Sequence, residues 1–268
     1  MALIKGNRPC CVLSIAGSDS GGGAGIQADL KSISANGCYG LSVITAITAQ
    51  NSYAVTDIHK TPLETITSQL KAVFEDMPID AIKIGMLGDK DMVQTVASFL
   101  KAQPKLPPII LDPVMVSKAG APLLEMDAIT SLKEQLLPLA TLVTPNLPEA
   151  QILADLEDEE DAEILAKNIG KSLNILIKGG HQKGEKSIDY LYLADGHIHS
   201  FEQKRINSKN THGTGCSLSS AIAAQMALGK DIRTAVKEAK QYISHAIQTS
   251  QHWQMGKGHG PISHFEYL

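Results

Sequence analysis

The chain has 268 residues, of which 43% are hydrophobic, and its formal net charge at pH 7 is -4. This size and composition are typical of one or two globular domains with a substantial core, and we expect a single domain over residues 1–268. Charges of both signs are interspersed, so we expect no broad basic surface for nucleic acid or an anionic membrane. The expected partners are therefore small molecules.

The cysteine content and the N-terminus predict a cytoplasmic protein. Cys10, Cys11, Cys38 and Cys216 show neither CxxC spacing nor the Cys/His spacing of a zinc site, so we expect reduced thiols. The N-terminus has no charged leader followed by a long apolar stretch and a cleavage site. No segment reaches the about 18 uninterrupted apolar residues of a membrane span.

Short apolar runs alternate along the chain with helix-like segments. The runs predict strands over residues 11–16, 41–48, 81–86, 109–111, 141–144 and 175–177. The intervening segments predict helices over residues 25–35, 63–74, 91–101 and 161–170. This alternation predicts an α/β fold with a mostly parallel central sheet and helices on both faces.

The segment IDYLYLADGHIHSF departs from this alternation. Its two alternating runs are joined by Asp195 and Gly196, a pair typical of tight turns, so it predicts an antiparallel hairpin on one edge of the sheet. Two helices are predicted after it, over residues 214–228 and 234–252.

A glycine-rich segment, AGSDSGGGAGIQADLK, follows the first predicted strand and opens the first helix. Ligands of doubly wound folds bind beyond the carboxyl ends of strands, which is where this segment lies. It contains no GxGxxG, and no GxxxxGK[ST] occurs in the chain, so neither a dinucleotide fingerprint nor a P-loop is predicted. The alternative is a plain flexible turn, although loops this rich in glycine usually need positive φ or close backbone approach.

A second glycine turn, in NTHGTGCSLSSAIAA, opens a helix of small residues. The first turn of a helix has unpartnered backbone N–H groups and the positive end of the helix dipole, so it attracts anions such as phosphate. We expect the thiol of Cys216 to be shifted toward thiolate there.

Polar side chains follow the later strands. In VTPNLPEA, Asn146 and Glu149 could project toward one point beyond the sheet, or Asn146 could cap the next helix with Glu149 in its first turn. Asp112 ends the strand in IILDPVM. Lys178, in LIKGGH, could meet nucleotide phosphates or could be a solvated lysine before a turn.

The histidines do not predict a metal site. His181, His197, His199 and His212 have no mutual spacing that requires a metal, so we expect surface or hydrogen-bonded loop histidines. A contact between His212 and the glycine turn beside it remains open.

The order of these motifs resembles that of the ribokinase-like superfamily, and within it the hydroxymethylpyrimidine/phosphomethylpyrimidine kinases of thiamine biosynthesis. The resemblance extends nearly from end to end of the chain. Its segments are AGSDSGGGAGIQADLK, YGLSVITAITAQN, KIGML, LVTPNLPEA, IKGGH, NTHGTGCSLSSAIAA and GKGHGPISHF.

The resemblance implies ATP-dependent phosphorylation of the hydroxymethyl group of 4-amino-5-hydroxymethyl-2-methylpyrimidine, followed by a second transfer that gives the diphosphate. Mg²⁺ would accompany the nucleotide, and a homodimer is expected. Wider relatives place a basic aspartate at the end of the GTG turn, so the resemblance assigns Cys216 as the base. Backbone N–H groups would bind the transferred phosphoryl group, from Gly213, Thr214 and Gly215.

The resemblance also implies the binding residues. The polar edge of the pyrimidine would be bound by Asp29 and Gln50. The wall of the pyrimidine site would be formed by Gly17, Thr48 and Met86. The nucleotide would be bound by Lys178, Asn146 and Thr211. The metal would be bound, directly or through water, by Glu149 and Asp112.

Two other functions remain open. Some relatives with the same GTGC ending phosphorylate vitamin B6, so pyridoxal or pyridoxine kinase is an alternative, although TAITAQN favours the pyrimidine. A catalytically silent nucleotide- or pyrimidine-binding regulator could share the fold, but a binding module would not need a proton acceptor at Cys216.

A lid is expected in MVSKAGAPLL. Lys118, Ala119 and Gly120 lie there between a strand end and the next helix. Small, glycine-containing connections over a phosphoryl site commonly close to exclude water.

Overall fold

The computed structural model describes residues 4–115, 123–181 and 184–265. Lys118, Ala119 and Gly120 lie outside these ranges, so the lid stays a prediction. The single domain over residues 1–268 likewise stays a prediction.

The strands of the described ranges form two sheets. They are β1 (Ile4–Lys5), β2 (Arg8–Pro9), β3 (Cys11–Asp19), β4 (Tyr39–Gln50), β5 (Val55–Lys60), β6 (Ala81–Ile84), β7 (Ile109–Leu111), β8 (Leu142–Val143), β9 (Ile175–Ile177), β10 (Lys186–Tyr192) and β11 (Ile198–Lys204). Strands β1 and β2 pair as a small ribbon, and the others form one sheet in the order β11-β10-β9-β8-β7-β6-β3-β4-β5.

The pairing of the large sheet confirms the predicted α/β class. Strands β4, β3, β6, β7, β8 and β9 run parallel to one another. The predicted hairpin is confirmed as β10 and β11, which lie antiparallel at one edge. The other edge, β5, is also antiparallel and was not predicted. Its sequence VTDIHK is mostly polar and exposed, so it lacks the apolar run that indicates a buried strand.

Helices cover both faces of the large sheet. In the described ranges they are α1 (Gly25–Ala35), α2 (Leu63–Asp76), α3 (Lys90–Lys101), α4 (Met126–Gln135), α5 (Leu147–Ala154), α6 (Ala162–Ile169), α7 (Thr214–Ala227) and α8 (Ile232–Thr249). The bounds predicted for α1 are confirmed, and α4 was not predicted. None of the described helices combines the length and the apolar character needed to cross a membrane.

The core has two main layers because the central strands are buried on both faces. On one face, Leu13 and Ile15 of β3 share a cluster with Leu70 of α2 and Leu100 of α3. On the other face, Val12 of β3 belongs to a separate cluster that contains residues of α1, α7 and α8. The apolar run of β3 therefore supplies both layers and fixes the position of the loop that follows it.

A buried ion pair joins α1 to β6. The Nζ atom of Lys83 lies 2.9 Å from Oδ1 and 2.8 Å from Oδ2 of Asp29, and both side chains have 0% exposure. Ser14 of β3 and Ser220 of α7 also donate hydrogen bonds to this carboxylate, at 2.6 and 2.8 Å. Burial alone would lower the pKa of Lys83, but Asp29 raises it above its ordinary value, so the lysine stays charged.

We expect Lys83→Met to lower the free energy of unfolding by about 3–5 kcal/mol, because it leaves the carboxylate of Asp29 buried without its cation. The matched control is Lys186→Met, which removes an exposed pair with Glu202 at 2.8 Å and should cost less than about 1 kcal/mol. Urea unfolding of both variants measures the difference. Similar losses would contradict the structural importance of the buried pair.

Candidate active site

The loop after β3 is organised by one carboxylate. Asp19 accepts hydrogen bonds from the backbone N–H groups of Gly21, Gly23 and Ala24, at 2.8, 3.0 and 2.8 Å. Burial by itself would raise the pKa of Asp19, but hydrogen bonds from His212 and from Ala24 lower it below its usual value. Asp19 is therefore an ionised acceptor that holds the glycine loop in place.

The two glycine loops touch backbone to backbone. Gly213 has a φ of +81°, and a Cβ atom there would collide with the carbonyl oxygen of Gly23. A Cβ atom on Gly23 would in turn collide with the ring of His212. The close approach expected in the glycine loop after β3 is therefore confirmed at Gly23, and it brings the start of α7 against that loop.

A cluster of charges lies beside the start of α7. Nζ of Lys178 is 2.8 Å from Oδ1 of Asp112 and 3.8 Å from Oε2 of Glu149. A Cβ atom on Gly215 would lie 3.5 Å from that Nζ atom and 3.8 Å from Oδ2 of Asp112. The structure thus brings Lys178, Asp112 and Glu149 to the GTG turn. The side chain of Lys178 is only 13% exposed, so the alternative of a solvated lysine is wrong.

The charged groups in this cluster shift one another's pKa values. Burial would lower the pKa of Lys178, but Asp112 and Glu149 raise it above its ordinary value. Burial raises the pKa of Glu149 to about 7, helped by Asp112 and opposed by Lys178. Lys178 therefore remains charged, and Glu149 changes its charge near neutral pH.

Asn146 and Glu149 form the helix cap that was the alternative interpretation of VTPNLPEA. The side chain of Asn146 accepts from the N–H of Glu149 at 2.9 Å, and the side chain of Glu149 accepts from the N–H of Asn146 at 2.8 Å. This reciprocal capping box starts α5. The cap does not prevent Glu149 from facing the cluster, since its Oε2 atom also lies near Lys178.

Asp112 and Glu149 could hold a metal ion only if most of its ligands came from outside the protein. Asp112 and Glu149 offer the oxygen atoms that Mg²⁺ prefers, but the ammonium of Lys178 already lies beside them. No group of three or more His, Cys, Asp or Glu side chains in residues 4–115, 123–181 and 184–265 could hold a metal ion. Phosphate oxygens and water would have to complete the coordination.

Cys216 differs from its sequence expectation. Burial raises the pKa of its thiol to about 11, Lys83 lowers it, and the carboxylates of Asp29 and Asp112 raise it further. The expected shift toward thiolate is therefore corrected: the side chain is a neutral thiol near neutral pH.

The residues expected to bind the pyrimidine lie in two places. Oγ1 of Thr48 is 3.2 Å from the amide of Gln50, and a Cβ atom on Gly17 would lie 3.0 Å from Sδ of Met86. These four residues lie at the carboxyl ends of β3, β4 and β6. Asp29 lies in the buried ion pair instead, where both carboxylate oxygens are bonded to protein groups and its exposure is 0%. It is therefore not accessible for the direct contact implied by the resemblance.

Thr211 lies just before the turn. Its carbonyl oxygen accepts a hydrogen bond of 3.1 Å from Oγ1 of Thr214. This contact fixes the entry to α7 and places Thr211 on the same side of the sheet as the glycine turn.

Two residues of the site were missed. Asp19, which precedes three glycines, could have been found, because a short carboxylate before a turn commonly accepts its N–H groups. Lys83 stands in the apolar run AIKIGM, and a lysine in a buried strand requires a charged partner. The lysine in this apolar segment indicates that a charged partner is needed, but it does not identify that partner as Asp29.

Comparison with known proteins agrees with this geometry. The profile of a family described as phosphomethylpyrimidine kinase matches residues 19–263. A hydroxymethylpyrimidine/phosphomethylpyrimidine kinase of Haemophilus influenzae is 47% identical over 265 residues, which cover 96% of this chain and 97% of that protein.

Solved structures share the fold. The phosphomethylpyrimidine kinase of Clostridium difficile is 40% identical and has a TM-score of 0.75, over 88% of this chain and 99% of that chain. The pyridoxal kinase of Staphylococcus aureus, in complex with AMP-PCP and pyridoxal, is 32% identical and has a TM-score of 0.85, over 96% of this chain and 94% of that chain.

A mostly parallel sheet with two touching glycine loops at its carboxyl edge, one of them opening a helix, defines a ribokinase-like phosphotransferase. The expected fold class is confirmed by the solved structures. The chain belongs to the phosphomethylpyrimidine kinase family. It is therefore an enzyme that uses ATP, and its substrate is a small molecule.

We expect iodoacetamide to alkylate Cys216 about ten times faster for each pH unit from about pH 7 to about pH 9.5. The reason is that the thiolate reacts, and a pKa of about 11 keeps the thiol protonated across that range. Mass spectrometry of the labelled peptide gives the rate. Cys216→Ser supplies the background from Cys10, Cys11 and Cys38, which are buried. A rate that becomes constant below about pH 8 would contradict the raised pKa.

Proposed function

We propose that this enzyme transfers the γ-phosphoryl group of ATP to the hydroxymethyl group of 4-amino-5-hydroxymethyl-2-methylpyrimidine, and then phosphorylates the monophosphate to the diphosphate, as in thiamine biosynthesis. The observation that carries this proposal is the meeting of the GTGC helix start with the glycine loop after β3, because Gly213 contacts Gly23 directly. Family membership supports the same chemistry.

The phosphoryl group would bind at the start of α7. Backbone N–H groups of Gly213, Thr214 and Gly215 are suited to the charge that develops on the transferred oxygens. Lys178 supplies a buried ammonium beside Gly215, as a nucleotide phosphate requires. Asn146 and Thr211 lie at the adjacent loop ends, and we propose that they border the nucleotide.

Mg²⁺ belongs to this proposal as the partner of ATP. When bound, it would neutralise charge on the phosphate oxygens. Asp112 and Glu149 would hold it, chiefly through water, because Lys178 is already close to both carboxylates.

Cys216 is the proposed base for the first transfer. Its thiol is protonated in the free protein, so it would have to release that proton to water before the resulting thiolate could accept the proton of the substrate hydroxyl. Lys83 favours that thiolate electrostatically. Asp29 acts on the reaction indirectly, because it holds Lys83 in position.

The pyrimidine would bind beside Gln50, against Thr48, Gly17 and Met86. An aminopyrimidine presents an exocyclic N–H donor next to a ring-nitrogen acceptor, and a glutamine amide presents the complementary acceptor and donor. Gln50 lies at the end of β4, where its amide contacts Thr48 and His212 at 3.2 and 3.3 Å.

Pyridoxal is a second candidate substrate. The observation in its favour is the similarity to the S. aureus pyridoxal kinase, whose structure contains pyridoxal. Incubation with MgATP and, in parallel, the pyrimidine alcohol, its monophosphate and pyridoxal separates the candidates by product mass. Absence of both pyrimidine products would contradict the proposed function.

A homodimer and a cytoplasmic location are also proposed. Exposed apolar side chains on β4 and in the loop after it support a dimer: Tyr39, Ile47 and Tyr53 are 52%, 57% and 59% exposed. None of the four cysteines, all of which lie in the described ranges, forms a disulfide, which agrees with a reducing compartment. The expectation of no nucleic-acid or membrane partner stays a prediction.

We expect Gln50→Glu to raise the Michaelis constant for the pyrimidine alcohol about fivefold to about a hundredfold. The substitution keeps the size but replaces the N–H donor by an acceptor, which costs about 1–3 kcal/mol at a buried hydrogen bond. Steady-state kinetics with each substrate varied in turn measures the effect. The Michaelis constant for ATP is the internal control, and an unchanged value for the alcohol would remove Gln50 from the pyrimidine site.

We expect Cys216→Ala to slow phosphorylation of the alcohol about a hundredfold to about ten-thousandfold, with a much smaller effect on the monophosphate. The alcohol must lose a proton, whereas the phosphate nucleophile is already ionised near neutral pH. Cys216→Asp, which restores the base of wider relatives, should recover part of the first rate. Equal losses with both substrates, in a variant of unchanged melting temperature, would show that Cys216 is not the base.

A further inference from the structure

Four polar side chains from three distant parts of the sequence meet at the pyrimidine side of the proposed site. Nε2 of His212 lies 3.0 Å from Oδ2 of Asp19. The same Nε2 atom lies 3.3 Å from the end of the Gln50 amide that is placed as nitrogen. The other end of that amide, placed as oxygen, lies 3.2 Å from Oγ1 of Thr48. His212 therefore connects the glycine loop to Gln50, the residue proposed to bind the pyrimidine edge.

The available hydrogens determine which end of the amide faces His212. Asp19 has a lowered pKa and is an ionised acceptor, so Nε2 of His212 must carry the hydrogen between them. A nitrogen that already donates cannot accept from an amide N–H. The end of the Gln50 amide that faces His212 is therefore the oxygen.

Thr48 gives the same answer independently. Its hydroxyl has one hydrogen, and the carbonyl oxygen of Ser18, at 2.8 Å, can only accept it. Oγ1 of Thr48 is then left as an acceptor for Gln50, which requires the amide nitrogen on that side. The oxygen and nitrogen of an amide side chain are assigned from such networks. Both neighbours of Gln50 require the same assignment, in which Oε1 and Nε2 exchange the positions given above.

His212 is itself held firmly. Its backbone N–H donates to the carbonyl oxygen of Gly260 at 3.0 Å, and it forms a parallel bridge with Pro261. Its ring packs against Gly23, where a side chain would not fit. The residue is therefore rigid enough to impose one orientation on a neighbouring amide.

We propose that His212 is a specificity-determining positioning residue. It fixes the Gln50 amide with Oε1 on the His212 side and Nε2 on the Thr48 side, so that the substrate must present a hydrogen-bond donor on the first side and an acceptor on the second. The proposal rests on the proposed function, in which Gln50 binds the pyrimidine edge. A 4-aminopyrimidine has the required pattern, with its amino group beside N3. A 4-oxo analogue has the reverse pattern, because its carbonyl accepts and its N3–H donates.

The selectivity between these two substrates tests the proposal. In His212→Leu only Thr48 still orients the amide, so rotation of the amide to match the 4-oxo analogue is opposed by one neighbour instead of two. We expect the ratio of kcat/KM for the amino alcohol to kcat/KM for its 4-oxo analogue to fall about tenfold. His212→Gln, which can place an amide N–H near the same position, should restore part of the ratio.

A double-mutant cycle adds the coupling to Gln50. In a Gln50→Ala background the His212→Leu substitution should leave the ratio unchanged, because the amide that it orients is absent. The matched control is His197→Leu, an exposed histidine in the hairpin turn, which should change neither the ratio nor the individual constants.

The outcomes separate this inference from the proposed function. If Gln50→Ala leaves the Michaelis constant for the pyrimidine alcohol unchanged, Gln50 does not read the base and the proposed binding mode fails. If Gln50→Ala weakens binding but His212→Leu leaves the selectivity ratio unchanged, His212 has only a structural role and the inference is overturned while the proposed function stands. An equal decrease in turnover of both substrates in His212→Leu, with a lowered melting temperature, would overturn it in the same way.

Discussion

The close contact between two backbones is the constraint on which the site depends. Gly213 can approach the carbonyl oxygen of Gly23 only because neither glycine has a side chain, and Gly213 adopts a φ that other residues rarely adopt. This contact places the N-terminus of α7 beside the loop after β3, so a helix start and a glycine loop can act on the same phosphoryl group. Asp19 stabilises the glycine loop on one side of this contact by accepting three backbone hydrogen bonds.

Beneath this contact the protein buries charges, and each is compensated by a neighbour. Lys83 is paired with Asp29, and Lys178 is paired with Asp112. The same charges determine the state of Cys216: burial and the nearby carboxylates outweigh the ammonium of Lys83. A thiol in this environment remains protonated until the charge distribution around it changes, which agrees with a base that acts only when its substrates are bound.

The polar side of the proposed pyrimidine site is ordered in a different way, by hydrogen-bond direction. In the arrangement that we propose, Asp19 determines the hydrogen on His212, and His212 together with Thr48 determines the orientation of Gln50. Asp19 therefore contributes to both sides of the site, because it holds the glycine loop and also fixes the direction of the hydrogen bonds to Gln50. An amide fixed in this way discriminates by the order of donor and acceptor, which shape alone would not distinguish.

Sequence patterns were sufficient to predict the α/β class, the edge hairpin, the bounds of α1 and the order of the site motifs, because these depend on local patterns of apolar residues, glycines and caps. The sequence also contained the capping box of Asn146 and Glu149, whose partners are three residues apart. The tertiary structure alone shows the antiparallel strand β5, the burial of Asp29 against Lys83, the raised pKa of Cys216 and the hydrogen-bond network from which we infer the orientation of Gln50. The last three depend on groups brought together across long stretches of chain, as with Asp19 and His212, and on a loss of solvent that no local pattern records.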